Sequence, residues 1–193
     1  MVRYSFGKST DYTGDWIAID TETGGLDPTR HALLSIAVWS PTYQDSWLCR
    51  PLGACEAEAM KINGLDAREC AENGLKPRES AERLMVALRG KAIVGQNVGF
   101  DLGFIASRIF GLKPGDDAML IFRSMHIIDT HDIFKRLHPD APCHLHEIAE
   151  HYGLGDKSRF HDAAYDAEMT GRVYMAMQEE MRGDLDGMAR REA

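Results

Sequence analysis

The chain has 193 residues, 44% hydrophobic and 27% charged, which excludes a disordered chain and fits one packed domain around a single core. No apolar run approaches the ~18 residues of a membrane span, and the opening MVRYSFGKST lacks a secretory h-region, so a cytoplasmic protein with no membrane partner is expected. The formal net charge of −8 argues against a polyanion held by basic residues, unless a carboxylate cluster loads divalent cations and becomes a local phosphate-binding centre.

In chain order, residues 16–20 (WIAID) read as a strand, followed by the turn-rich TETGGLDP, a second strand at 32–39 and a third around 46–49. Short connections make these an antiparallel meander. Residues 77–90 form an amphipathic helix, with Pro77 at the start, Gly90 at the stop, and Ala81, Leu84, Met85 and Leu88 at helical spacing. A buried strand is expected at 91–97, a helix at 100–111 ended by Gly111, a turn at 113–117 and a strand at 126–130. Alternation of strand and helix implies parallel pairing there. Helices are predicted at 130–137, 145–152 and 163–181. The core thus covers about 15–181 of a single 193-residue domain, and the last dozen residues form a polar, frayed tail.

Asp20 and Glu22 stand two apart at the end of an apolar strand, so in extended conformation both leave the same face. Like charges ~4 Å apart repel by about 4 kcal/mol at an effective dielectric near 20, so the pair requires a proton, a basic partner or a metal. Taken alone, DxE is equally a surface turn. Asp101 follows another buried strand, where open α/β sheets build sites, though opening a helix also fits an N-cap. His161 lies five residues before Asp166 at the start of the last long helix, and histidine exchanges protons near neutral pH. Asp162 shares that helix start and is assigned to N-capping, Asp166 to metal.

Other features read as structural. HLHEIAEHYG places His151 five residues after His146, missing the HExxH pattern, and is an amphipathic helix packing Leu145, Ile148 and Ala149. Cys49, Cys55, Cys70 and Cys143 form no CxxC pair and read as reduced thiols. Asp129, at another strand end, stays outside the catalytic set.

The ordered set DTETGGLDP, NVGFD and HDAAYDA resembles the three motifs of the DEDDh 3′–5′ exonucleases, a family that includes polymerase proofreading subunits, ribonuclease T and oligoribonuclease. The resemblance runs from about Trp16 to Tyr174 and implies an α/β, ribonuclease-H-like fold: a mixed five-stranded sheet flanked by helices. By this resemblance Asp20, Glu22, Asp101 and Asp166 hold two divalent cations, Mg2+ or Mn2+, and His161 is the general base. Asn97 supports the loop around Asp101. MKINGL resembles the family's helix-to-turn segment, and the chain departs from the family at Asn63 within it and at Gln96, where His is frequent, and at Ser35, where Glu is frequent.

The expected reaction is hydrolysis at the 3′ end of single-stranded nucleic acid, DNA slightly ahead of RNA, releasing nucleoside 5′-monophosphates. For the strand end, Thr23, Gly24 and their neighbours in TGGL offer flexible backbone groups to the terminal sugar, and Leu26 packs on the last base. Phe100, Phe104 and Phe160 are candidates for base stacking or for core, and Lys157 and Arg159 for phosphate contacts or a solvated loop. Rival readings are an exoribonuclease or short-oligonucleotide hydrolase and, in a different class, a catalytically silent nucleic-acid-binding or polymerase-docking module. A homodimer or a polymerase or repair partner is left open.

Overall fold

The computed structural model describes residues 13–113, 122 and 125–189; the turn expected at 113–117 falls, beyond Lys113, outside them. Strands β1 (Trp16–Thr23), β2 (Leu33–Ser40) and β3 (Tyr43–Leu48) form the meander. Helices α1 (Ala57–Asn63), α2 (Ala67–Asn73) and α3 (Pro77–Leu88) lead to β4 (Ala92–Gly95). Next come α4 (Gly99–Phe104), β5 (Ile127–Asp129), α5 (Thr130–Leu137), α6 (Leu145–His151) and α7 (Ala163–Ala189). The five strands form one mixed sheet in the order β3-β2-β1-β4-β5. β2 lies antiparallel to β1 and to β3, whereas β4 is parallel to β1 and β5 to β4.

Alternation along β1 sorts its side chains between two layers. Ile17 and Ile19 pack with Leu84, Leu88, Leu102, Phe104 and Ile105 beneath α3 and α4, while Ala18 packs with Val173, Tyr174 and Met177 of α7. Ala37 of β2 meets Ala163 and Ala167. Small residues on this face let α7 lie close to the sheet. Gly171 completes the fit, since a Cβ there would sit 2.4 Å from Cε3 of Trp39 and 3.2 Å from Cζ3 of Trp16. Gly171→Ala is therefore expected to destabilise the protein by about 1–3 kcal/mol through overpacking, despite alanine's better helix propensity. Denaturant unfolding checks this, and an unchanged midpoint counts against the packing account.

Several boundaries differ from those expected from the sequence. β1 runs on to Thr23, with a register shift between Glu22 and Thr23. β3 begins at Tyr43 rather than 46, because pairing with β2 extends a polar edge segment that has no apolar alternation. β4 is shorter than residues 91–97. α1 and α2 have no counterpart in the predicted elements beyond MKINGL. α1 buries no residue and α2 only Cys70, so neither carries an apolar period. In α3 the buried stripe is Ser80, Leu84, Ala87 and Leu88, which turns Met85 outward at 37% exposure.

α4 passes into a π-helical turn at Ile105–Ile109 before Gly111, whose φ is 68°. α7 continues to Ala189, eight residues past the expected end, because nothing interrupts the ladder once it has been nucleated. No helix among the described residues is long and apolar enough to cross a membrane.

Candidate active site

The extension of β1 keeps Asp20 and Glu22 on one face of the sheet, the face covered by α7, where Asp166 stands in the first turn. One carboxylate oxygen from each of Asp20, Glu22 and Asp166 lies within 4.8 Å of the others. The register shift at Glu22/Thr23 ends the regular ladder at this point.

The charges are mutually unfavourable. Burial, then the Asp101 and Asp166 carboxylates, hold Asp20 well above the usual carboxylate range. Burial, then Asp166 and Asp101, push Glu22 up to about 8. Burial raises Asp166 to about 6, offset in part by the hydrogen bond from the backbone N–H of His161. That N–H donates to Asp166 Oδ2 at 3.0 Å, while Oδ1 is buried with no hydrogen-bond partner. A carboxylate that keeps one buried oxygen unpartnered and is grouped with two further carboxylates is a fit for a divalent cation, whose hard oxygen preference these donors meet.

Asp101 enters from the opposite face. α4 packs under the Ile17/Ile19 side of β1, the side to which Thr21 also points. The Thr21 hydroxyl donates to Asp101 Oδ1 at 2.7 Å. Asp101 therefore lies outside the 4.8 Å trio, although its charge raises both Asp20 and Glu22. Burial lifts Asp101 to about 7, against hydrogen bonds from the Thr21 side chain and from backbone N–H groups. The N-cap alternative does not hold: α4 starts at Gly99 with Val98 in the cap position, and Asp101 lies inside the helix. Thr21 is absent from the residues singled out in the sequence. Its only signal there is its place between the two acidic residues.

His161 is exposed, beside Asp166, in the left-handed region at φ 74°, a conformation costly for a residue with a Cβ and typical of functional turns. Asp162 caps α7, accepting from Ala164 N–H (2.9 Å) and Tyr165 N–H (3.2 Å), the role expected from the sequence. Arg159 places its guanidinium over the Tyr165 ring at 4.2 Å. Phe160 is half-buried, edge-on to Tyr165 (5.2 Å between centroids) and to His146 (6.0 Å), so part of it belongs to the α6/α7 core.

Among the other stacking candidates, Phe104 is fully buried and closed to a base, because α4 turns it into the core. Phe100 is half-buried against it, with centroids 5.0 Å apart. Asn97 is exposed at φ 52°, and its N–H donates to Asp129 Oδ1 (3.0 Å). That same oxygen accepts from His131 N–H at the start of α5, so Asp129 acts as a brace.

The TGGL loop is held, not flexible. Gly24 N–H donates to Ala32 O (2.8 Å), and Gly24 O accepts from Glu56 N–H (2.7 Å). The Thr23 hydroxyl donates to Gly25 O (2.8 Å), and Thr23 O accepts from Asn63 Nδ2 (3.1 Å). Leu26 alone projects, at 73% exposure. Asn63, noted in the sequence only as a departure, ties α1 to this loop.

A family model described as Exonuclease, of the RNase T type, matches residues 17–174. The 3′-5′ DNA exonuclease Cap18 of Escherichia coli is 25% identical over 169 residues, covering 80% of this chain and 88% of Cap18. DNA polymerase III PolC-type of Streptococcus suis is 27% identical over 169 residues, which is 82% of this chain but 11% of the polymerase. Of solved structures, E. coli Exonuclease I in complex with a dT13 oligonucleotide aligns with a TM-score of 0.67 at 18% identity, over 84% of this chain and 40% of that one. At that identity the likeness establishes the ribonuclease-H-like fold. With the family match spanning β1 to α7 and so enclosing the acidic cluster, the chain belongs to the RNase T-type exonuclease family and is a DEDD-type 3′–5′ exonuclease of nucleic acid.

Proposed function

We propose that the chain shortens single-stranded nucleic acid from the 3′ end, DNA in preference to RNA, and releases nucleoside 5′-monophosphates. Asp20, Glu22, Asp101 and Asp166 would hold two divalent cations, Mg2+ or Mn2+. The observation that carries this is the convergence of Asp20, Glu22 and Asp166, with Asp166 Oδ1 buried and unpartnered. Bound there, the cations supply charge stabilisation for the attacking and leaving oxygens of an in-line displacement. Asp101, approaching from the α4 face, adds its carboxylate across the end of β1. His161, exposed next to Asp166, takes the proton from the attacking water, and its backbone N–H keeps Asp166 Oδ2 oriented. The held loop Thr23–Leu26 presents Leu26 to the last base, and Phe100 and Phe160 offer partly open rings to a strand.

The likeness to Cap18, named as a DNA exonuclease, supports DNA. The likeness to PolC-type polymerases supports work beside a polymerase or repair enzyme. Self-association into a homodimer is the other arrangement, and light scattering of the purified chain decides between them. A cytoplasmic location accords with four unpaired cysteines.

The test is a 5′-labelled and a 3′-labelled strand, each as DNA and as matched RNA, with Mg2+ or Mn2+ and with chelator. A ladder descending from the 3′ end on DNA, mononucleotide release, slower RNA and silence in chelator are expected. A mobility shift without shortening means a binding module. Turnover confined to RNA, or to strands of a few nucleotides, assigns the rival hydrolases. Within this scheme Thr21→Val should lower cleavage about 10- to 100-fold by releasing Asp101 from its hydroxyl donor. Metal titration of the rate checks it, and a wild-type metal dependence would remove Thr21 from the site.

A further inference from the structure

His31 is 5% exposed in the connection between β1 and β2, and both of its ring nitrogens are engaged. Nδ1 accepts the backbone N–H of Asp27 at 2.9 Å, so the ring carries its proton on Nε2, which lies 3.0 Å from Glu56 Oε1. The backbone N–H of His31 closes the same turn onto Asp27 O at 2.8 Å. The ring face rests on Gly25: a Cβ at that position would meet the His31 Cγ and Nδ1 atoms at 2.6 Å. Glu56 stands in the cap position of α1, and its own N–H holds Gly24 O. One imidazole therefore bridges both limbs of the loop and the helix that braces it. The side chain which that loop sends outward is Leu26.

A Gly-Gly turn with an exposed leucine would ordinarily be mobile, and a mobile leucine gives up much of its contact energy to ordering on binding. Here the ordering is done before the ligand arrives. We propose that His31 is a positioning residue for recognition of the 3′-terminal nucleotide. It presets Leu26 through the Asp27 N–H and Glu56 bonds and takes no part in bond breaking. This rests on the reading above that Leu26 meets the last base.

Two measurements test it. In amide hydrogen exchange of the protein alone, the Asp27 N–H should be protected in the wild type and lose protection in His31→Ala. It should regain protection in His31→Asn, whose carbonyl can accept that N–H. In steady-state cleavage of a single strand, His31→Ala should raise KM about tenfold with kcat within twofold, the signature of binding lost equally from ground and transition states. His31→Asn should recover most of the loss. The double variant His31→Ala/Leu26→Ala should be no worse than Leu26→Ala alone. Unchanged exchange in His31→Ala, a fall in kcat at constant KM, or additive losses in the double variant each overturn the proposal. If the wild type shortens no strand, the proposed function falls, while the exchange data still decide whether the clamp exists. If His31→Ala fails to fold, His31→Leu, which fills the space but offers no acceptor to the Asp27 N–H, replaces it in both readouts.

Discussion

Replacing Asp166 by asparagine is expected to cut 3′-end shortening by about a thousandfold or more while the metal-free protein stays folded. Asparagine is isosteric, and its carbonyl can keep the 3.0 Å bond from the His161 N–H that Oδ2 now accepts. Its amide then takes the place of Oδ1, the buried atom without a partner, and can donate toward Asp20 and Glu22, whose oxygens lie within 4.8 Å of Asp166. The metal-free cluster is relieved of one negative charge and gains a donor. A cation at the same place loses a ligand oxygen and meets an N–H dipole of the wrong sign. Losing several kcal/mol of charge stabilisation in the transition state corresponds to roughly three decades in rate. Circular dichroism and a thermal melt establish that the variant is folded, and cleavage of a labelled strand gives the rate. Near-normal turnover in a folded Asp166→Asn protein would falsify the catalytic assignment.

The metal-free wild type should be more stable near pH 5 than near pH 8, and added Mg2+ or Mn2+ should reverse the difference at pH 8. Glu22, Asp101 and Asp166 titrate in the folded protein at about 8, 7 and 6, above their ordinary carboxylate values, and Asp20 is raised as well. Over that interval the folded state binds more protons than the unfolded chain. Stability is therefore full at low pH and is lost as pH rises through the folded values. A carboxyl that titrates one pH unit higher in the folded chain than in the unfolded one contributes about 1.4 kcal/mol, so the cluster's effect is on the order of a few kcal/mol.

Groups with lowered values act elsewhere. The Arg83 hydrogen bonds hold Asp45 down, and their contribution disappears only in more acidic solution, below the window of the cluster. Cations replace the missing protons at pH 8, and binding at a hundred times Kd adds about 2.7 kcal/mol. Thermal melts from pH 5 to 8, with chelator and with each metal, measure both effects. A metal-free protein that gains stability on going from pH 5 to 8, or one indifferent to either cation, contradicts the account of the site.

Much of the site is legible in the sequence because its signals are local. Period-two alternation through WIAIDTE places Asp20 and Glu22 on one face, and β1 extends far enough to keep them there. The five-residue step from His161 to Asp166 spans the first turn of α7, with Asp162 between them as the cap. Pro77 marks the start of α3. Each of these follows from backbone geometry within about ten residues.

Contacts between distant segments are another matter. Asp101 is bound by Thr21, 80 residues away, because parallel pairing of β4 with β1 brings α4 beneath the odd-numbered face of β1. The same placement takes Phe104 into the core and leaves Phe100 at its rim. Gly24 reads as a flexible turn residue, yet Ala32 and Glu56 consume its backbone groups, and His31, inconspicuous in sequence, spans that loop. α1 and α2 form without an apolar period because, of their residues, only Met60 and Cys70 join the small cluster around Ala32 and Leu34. Local residue order thus settles the face each candidate side chain takes on its own element. Sheet order and helix crossovers settle which of them touch, since hydrogen bonds between distant segments exist only after the chain has closed around its core.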